Sequence, residues 1–296
     1  MEIDRFAERL CDALERELGD GYHVERRQVR KNNGVVLEGL LVFSPDQNLA
    51  PTIYLDSFLE AYRSGMTFQE VVRKMLAAIG ESAARGNVDM DFFRFFDKVR
   101  DRICYRLIGR KGNEGMLEDV PHIEFLDLAL CFFYAYHDEV LGEGAVLVHE
   151  SHRQMWGTAT AELLKLAERN TPKLFPWSKR SIDSMVTEAA CKDGGQGEDS
   201  LNMPISVLSN GKGLYGAACM VYPGVLEALG AEEGRGFYII PSSVHEVLLL
   251  GDTGGEEPRM LRQIIEEINH THLAPEEVLS DNLYYYNFAE KRIKII

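Results

Sequence analysis

Apolar residues at Ile3, Phe6, Leu10, Leu14 and Leu18 recur every three or four positions. That spacing predicts an amphipathic helix, stopped by Gly19 and Gly21. Asn32-Asn33-Gly34 then predicts a tight two-residue turn between strands at 22–31 and 35–43, because Asn-Gly adopts the positive φ angles such a turn requires. On the second of these strands Val35, Leu37, Leu41 and Phe43 share one parity and are assigned to the buried face. A turn into a third strand is expected over 48–55 and a short helix over 57–62. Thr67 and Glu70 fit a capping box opening a helix through Val71, Val72, Met75 and Ile79 to about residue 85. The run of phenylalanines over 92–96 reads as a core plug leading into a strand at 103–108. In 109–115 glycine and charge replace any period, which marks a linker.

Beyond it, the apolar run at 126–136, with Asp127 inside it, predicts a long strand. A strand at 145–148 follows, then a short helix at 151–156 and another from Thr158 or Thr160 to Asn170, ended by Pro172. Residues 192–202 read as a polar loop, and 205–208 and 214–221 as strands. Pro223 is placed at the first position of a helix ending at Gly230. The second half is organised around 236–252, where two apolar runs flank Pro241-Ser242-Ser243. Phe237, Ile239, Val247 and Leu249 are expected in the core, with Pro241 marking a sharp corner. A helix at 259–268, a turn of helix at Pro275-Glu276-Glu277 and a strand at 283–286 complete the pattern. Hairpins recur and no regular strand–helix–strand rhythm emerges, so the fold class is α+β with mostly antiparallel sheets. The linker divides it into an N-terminal subdomain, 1–112, and a C-terminal one, 113–296.

Composition narrows the functional classes. In 296 residues, 47 are acidic and 32 basic, a formal charge of −15 that argues against nucleic acid or anionic membrane as a partner of the surface as a whole. Five scattered cysteines, four of them among apolar neighbours, read as reduced core thiols. The start of the chain lacks a secretory pattern, and no apolar run reaches the roughly 20 residues of a membrane span, so a cytoplasmic location is expected.

Several constellations carry candidate chemistry. Gly211 to Gly216 spells GxGxxG, but the apolar 217–221 and Pro223 leave no room for the phosphate-facing helix a dinucleotide fingerprint needs, so a glycine-rich turn is expected. His137, His149 and His152 are candidate metal ligands, although the last two are spaced HExH, not HExxH. His270 and His272 follow a helix end, where histidines often cap carbonyls. Ser242, Ser243, His245 and Glu246 suggest a hydrolase. Ser243 and His245 would share a strand face about 6–7 Å apart, too far for a nucleophile and its base unless the chain turns. GxSxG is missing, and serines at a proline corner often serve the backbone instead. Lys98, Arg100, Arg102, Arg106, Arg110 and Lys111, and the short Lys291-Arg292-Lys294 tail, are the basic segments that could meet phosphate. The acidic residues are too dispersed to imitate a nucleic acid.

Lys31-Asn32-Asn33-Gly34, Ala50 to Leu55, Asn170-Thr171-Pro172, Tyr215-Gly216-Ala217, Pro241 to Val247 and Ala274 to Glu277 together resemble an uncharacterised bacterial family, domain of unknown function 5688. The second half is similar, more distantly, to another uncharacterised bacterial family. The first resemblance implies one full-length module and, because such genes are often carried near mobile elements, a setting of mobile-element or host-defence conflict; it brings no catalytic residue. The expectation is a non-enzymatic, cytoplasmic module that binds a protein partner and uses no cofactor. The alternative is a hydrolase or metal-dependent enzyme working through Ser, His and Glu residues of the C-terminal half.

Overall fold

A computed structural model describes residues 2–45, 50–83, 91–138, 142–182, 205–255 and 257–296. The fold is α+β, and every sheet is antiparallel. Its contacts divide into two units, Met1–Phe92 with His137–Glu143, and Phe93–Tyr136 with Gly144–Ile296. The division falls at 92/93, not at the 112/113 expected from the glycine-rich stretch. Gly112 takes positive φ in a tight turn, and strands on either side of it belong to one sheet.

In the first unit, α1 (Glu2–Leu18) precedes a sheet of β1 (His23–Arg30), β2 (Val36–Phe43) and β3 (Thr52–Tyr54), followed by α2 (Asp56–Arg63) and α3 (Phe68–Ala83). Leu10, Leu14, Val24, Leu40, Val42, Leu55, Val71 and Met75 form its core. The buried parity of β2 is therefore Glu38, Leu40 and Val42, while Leu37 and Leu41 are half-buried and Phe43 is exposed, the reverse of the expected face. Both parities are apolar, so alternation alone does not choose between them. Glu38 tolerates burial because Arg26 Nε and Gln28 Nε2 each donate to its carboxylate at 2.7 Å, and Arg26 also reaches Asp4. The Asn-Gly turn is a three-residue 3-10 turn, with Asn33 at φ 59° and Gly34 at φ 70°. Thr67 and Glu70 make the expected capping box.

The second unit holds two sheets. In the first, β4 (Ile103–Gly109) and β5 (His122–Phe125) flank β6 (Leu128–Asp138), which β7 (Gly142–Leu147) also joins. Two short helices, α4 (Phe96–Val99) and α5 (Glu114–Leu117), lie on either side of β4 in sequence. Leu126 at φ 56° and Asp127 belong to the turn before β6, not to the strand. Of the expected phenylalanine plug, Phe93 is buried and Phe95 is 57% exposed.

Next come α6 (Glu150–Trp156) and α7 (Thr160–Leu174), which continues past Pro172. A proline in a last turn removes one hydrogen bond and leaves the rest of the helix intact. The second sheet has the order β13-β12-β10-β11-β9-β8, comprising β8 (Trp177–Ser181), β9 (Ile205–Asn210), β10 (Phe237–Ser243), β11 (Glu246–Gly251), β12 (Tyr284–Asn287) and β13 (Arg292–Ile295). α8 (Val225–Glu233) and α9 (Pro258–Thr271) complete the unit, and Leu261 and Ile265 of α9 pack with Tyr238, Ile240 and Leu250. Pro223 stands before α8, whose N-cap is Gly224. The strand expected at 214–221 is a buried 3-10 helix, Gly216–Val221. Small residues in that run turn where an apolar run alone suggests extension. The loop expected at 192–202, Cys191 and the ends of the runs predicted to reach 48 and 85 lie outside the described residues.

Candidate functional site

The centre of the second sheet is the β10–β11 hairpin. Pro241 sits within β10, and the register shifts between Ile240 and Ser243, as expected where a strand residue has no N–H to donate. The chain reverses three residues later, at Val244-His245, between the paired Ser243 and Glu246. Pro241 therefore marks a bulge, not the corner.

This turn holds the hydroxyls in structural roles. Ser243 Oγ accepts the His245 N–H at 3.0 Å, and Ser242 Oγ donates to the Glu246 carbonyl at 3.3 Å. Both serines are buried. His245 Nδ1 accepts the N–H of Tyr215 at 3.2 Å, which places the ring proton on Nε2, 4.0 Å from Glu277 Oε1. The imidazole stacks on the Tyr215 ring, 5.9 Å between centroids and 9° between planes. Arg106 NH1 in turn donates to Tyr215 OH at 2.9 Å, with its guanidinium 4.8 Å from the ring centroid. Tyr215 takes φ 55°, a strained backbone for a bulky residue that these contacts hold in place. Gly216 follows because Ser209 Oγ and the His245 carbonyl, themselves hydrogen-bonded at 2.8 Å, lie where a Cβ would project.

The structure thus joins His245 to Arg106, Tyr215 and Glu277, a grouping that sequence spacing did not bring together. With Nδ1 accepting a backbone N–H and Nε2 protonated, His245 has no free lone pair with which to deprotonate a serine. Cys104, Cys131 and Cys219 are equally poor nucleophiles, since burial pushes each thiol up to about 12.

The candidate metal ligands are committed elsewhere. His137 lies 3.7 Å from Glu143. His149 Nδ1 meets Asp119 Oδ2 at 2.8 Å, and His152 Nδ1 accepts the His149 N–H at 3.1 Å at the start of α6. The His152 ring packs against Phe93 and Trp156. Among the described residues no group of three His, Cys, Asp or Glu side chains stands together as a metal would need.

Burial first, and the neighbouring His149 second, hold the His152 imidazole below its ordinary value of 6.5. The unfolded chain therefore binds a proton that the folded chain refuses. This contribution to stability is complete above pH 6.5 and declines as pH falls through that value towards the lowered one. The urea midpoint of wild type should accordingly drop further than that of His152→Gln when the pH is lowered from well above 6.5 to well below it. Parallel losses in the two proteins would refute this assignment.

The cations of the basic segment take different partners. Arg100 reaches Asp97 at 3.4 Å, Arg102 Nε donates to the Ala135 carbonyl, and Arg110 pairs with Glu124 at 3.0 Å. Lys98 lies over the Phe95 ring, and Lys111 is exposed.

A second polar centre gave no sequence signal beyond a lone acid in an apolar run. The Asp127 carboxylate accepts Ser280 Oγ at 2.6 Å, Asn282 Nδ2 at 3.0 Å and Tyr284 OH at 2.8 Å. Burial, with the Asp127 charge next, raises the Tyr284 phenol far above the tyrosine range. Asp127→Asn turns an amide donor towards one of these donors and should cost about 2–4 kcal/mol, read from urea denaturation. An unchanged midpoint would show that the three bonds contribute nothing net.

Five of the segments that carry the resemblance build this framework. The 32–34 turn closes the first hairpin, and Asn170 Nδ2 donates to the Arg100 and Ile103 carbonyls. Thr171 Oγ accepts the Tyr105 N–H, and the 215–217, 241–247 and 274–277 segments meet around His245. Residues 3–287 match a family of unknown function, DUF5688, and the chain belongs to that family. No curated protein and no solved structure matches it.

Proposed function

We propose that this DUF5688 member is a non-enzymatic module that works by binding another protein. The observation that best supports this reading is His245. Its Nδ1 takes a backbone N–H and its Nε2 proton faces Glu277, so the most catalytic-looking stretch of the chain is occupied in shaping a hairpin. The enzyme alternative is weaker because His245 has no lone pair free for either serine, Ser242 Oγ meets Glu246 Oε1 only at a long 3.4 Å while also bonded to the Glu246 carbonyl, and His149 and His152 serve a helix start. A cytoplasmic setting, in mobile-element or host-defence conflict, belongs to the same proposal. The described cysteines are free, and three of them are buried. Among the described residues no helix is long and apolar enough to cross a membrane.

The test is affinity capture with the full chain from a native lysate of the source organism. A stoichiometric protein partner that survives nuclease treatment is expected. Recovery of none, or of nucleic acid alone, overturns the reading.

A further inference from the structure

Asn-Gly occurs twice in the chain, at Asn33-Gly34 and Asn210-Gly211. Glycine has no Cβ to shield its amide nitrogen, so in such a pair that nitrogen can approach the asparagine side-chain carbonyl as a nucleophile. The fold places the two pairs in opposite settings.

Asn210 is 3% exposed and ends β9, opposite Trp177 on β8. Its side chain is held at both ends: Nδ2 donates to the Leu214 carbonyl at 2.8 Å, and Oδ1 accepts the Lys212 N–H at 3.0 Å. The nitrogen that would attack is committed as well, since the Gly211 N–H donates to the Pro176 carbonyl at 3.0 Å. Cyclisation at Asn210 therefore requires the end of β9 to open first.

Asn33 and Gly34 instead stand at the tip of the β1–β2 hairpin, the first half-buried and the second exposed. Cyclisation needs the Asn33 ψ to leave 29° so that the Gly34 nitrogen swings towards Cγ. The turn bond across this peptide, from the Val35 N–H to the Asn32 carbonyl, is long at 3.3 Å. Glycine at 34 follows the rotation at little steric cost.

We infer that Asn33 is a site of spontaneous covalent modification, deamidating through a cyclic imide to aspartate and isoaspartate, while the fold protects Asn210. The Gly34 amide nitrogen gives its proton to solvent base and bonds to Asn33 Cγ, and the side-chain nitrogen leaves as ammonia. Water then adds to either imide carbonyl and breaks its bond to the ring nitrogen, so one water enters for each ammonia released. Each event puts a carboxylate where a neutral amide stood. The isoaspartyl product also lengthens the main chain by one carbon, inside a turn that the Lys31 N–H closes on the Val35 carbonyl at 2.7 Å.

The test holds the full chain in mildly alkaline buffer, folded or in urea, and follows both sites by mass-spectrometric peptide mapping, with isoaspartate counted by enzymatic methyl transfer. In urea the two asparagines should convert at comparable rates. In the folded chain Asn33 should convert at least about tenfold faster than Asn210, the factor being set by how rarely β9 opens. Equal conversion of the two in the folded chain overturns the inference, as does an Asn33 that stays intact while the chain in urea is modified. An Asn210 that is just as slow in urea assigns the difference to local sequence and overturns the protective role of the fold.

Discussion

Ile239→Asp should leave the second unit unfolded under conditions in which the wild-type chain is folded. Ile239 is fully buried at the middle of β10, opposite Leu249 on β11 and Tyr284 on β12. The substitution removes a packed side chain, at about 2–5 kcal/mol, and places a carboxylate in the same fully buried space, at several kcal/mol more. The sum rivals the roughly 5–15 kcal/mol by which a domain is stable at all. Loss of near-ultraviolet dichroism and insoluble expression are the expected readouts. Ile239→Val, which keeps the shape and removes one methyl, should cost only about 1 kcal/mol. A soluble, cooperatively melting aspartate variant would mean that this strand is not the centre of the unit.

The second large effect is expected from Gly216→Ala. A Cβ at this position falls inside contact distance of Ser209 Oγ and the His245 carbonyl, and 2.9 Å from the Asn210 backbone nitrogen. Two of these three atoms belong to backbone, so no rotation of a side chain relieves the clash. Relief requires the hairpin turn to move away from the 3-10 helix, which breaks the Ser209–His245 hydrogen bond and the Tyr215 N–H bond to His245. A cost of about 3 kcal/mol or more is expected, by analogy with overpacked cores. Gly211, five residues earlier, has open space where its Cβ would stand. Gly211→Ala should therefore melt within a few degrees of wild type, and equal losses for the two variants would rule out the close approach as the cause.

Much of the framework is legible in the chain. The α1 stripe, the capping box at Thr67 and the apolar runs around 236–252 each carry a period that one principle reads directly. Where reading fails, the deciding contact is remote. Leu37 and Leu40 are equally apolar, and the buried face is the one that carries Glu38, whose burial is compensated by Arg26 and Gln28 on the neighbouring strand. The strands β5, β8 and β13 are short and lie beside a single neighbour or at a sheet edge, where pairing, not hydrophobicity, defines them. At the candidate site the pattern Ser-Ser-Val-His-Glu was visible, but its partners were not. Tyr215 stands 30 residues from His245, and Asp127 stands 153–157 residues from its three donors. No local spacing rule reaches that far.

The order of strands in the six-stranded sheet has a consequence for synthesis. β10 is bounded on one side by β11, made immediately after it, and on the other by β12, which is not available until residues 284–287 exist. A nascent chain therefore carries β10 with an unsatisfied row of backbone donors and acceptors while α9 and the loop after it are still being translated. Such an edge is a template for pairing with a neighbouring chain on the same messenger. In the folded protein the Asp127 carboxylate, made long before, accepts from Ser280, Asn282 and Tyr284, the residues that lead into and begin the strand closing that edge.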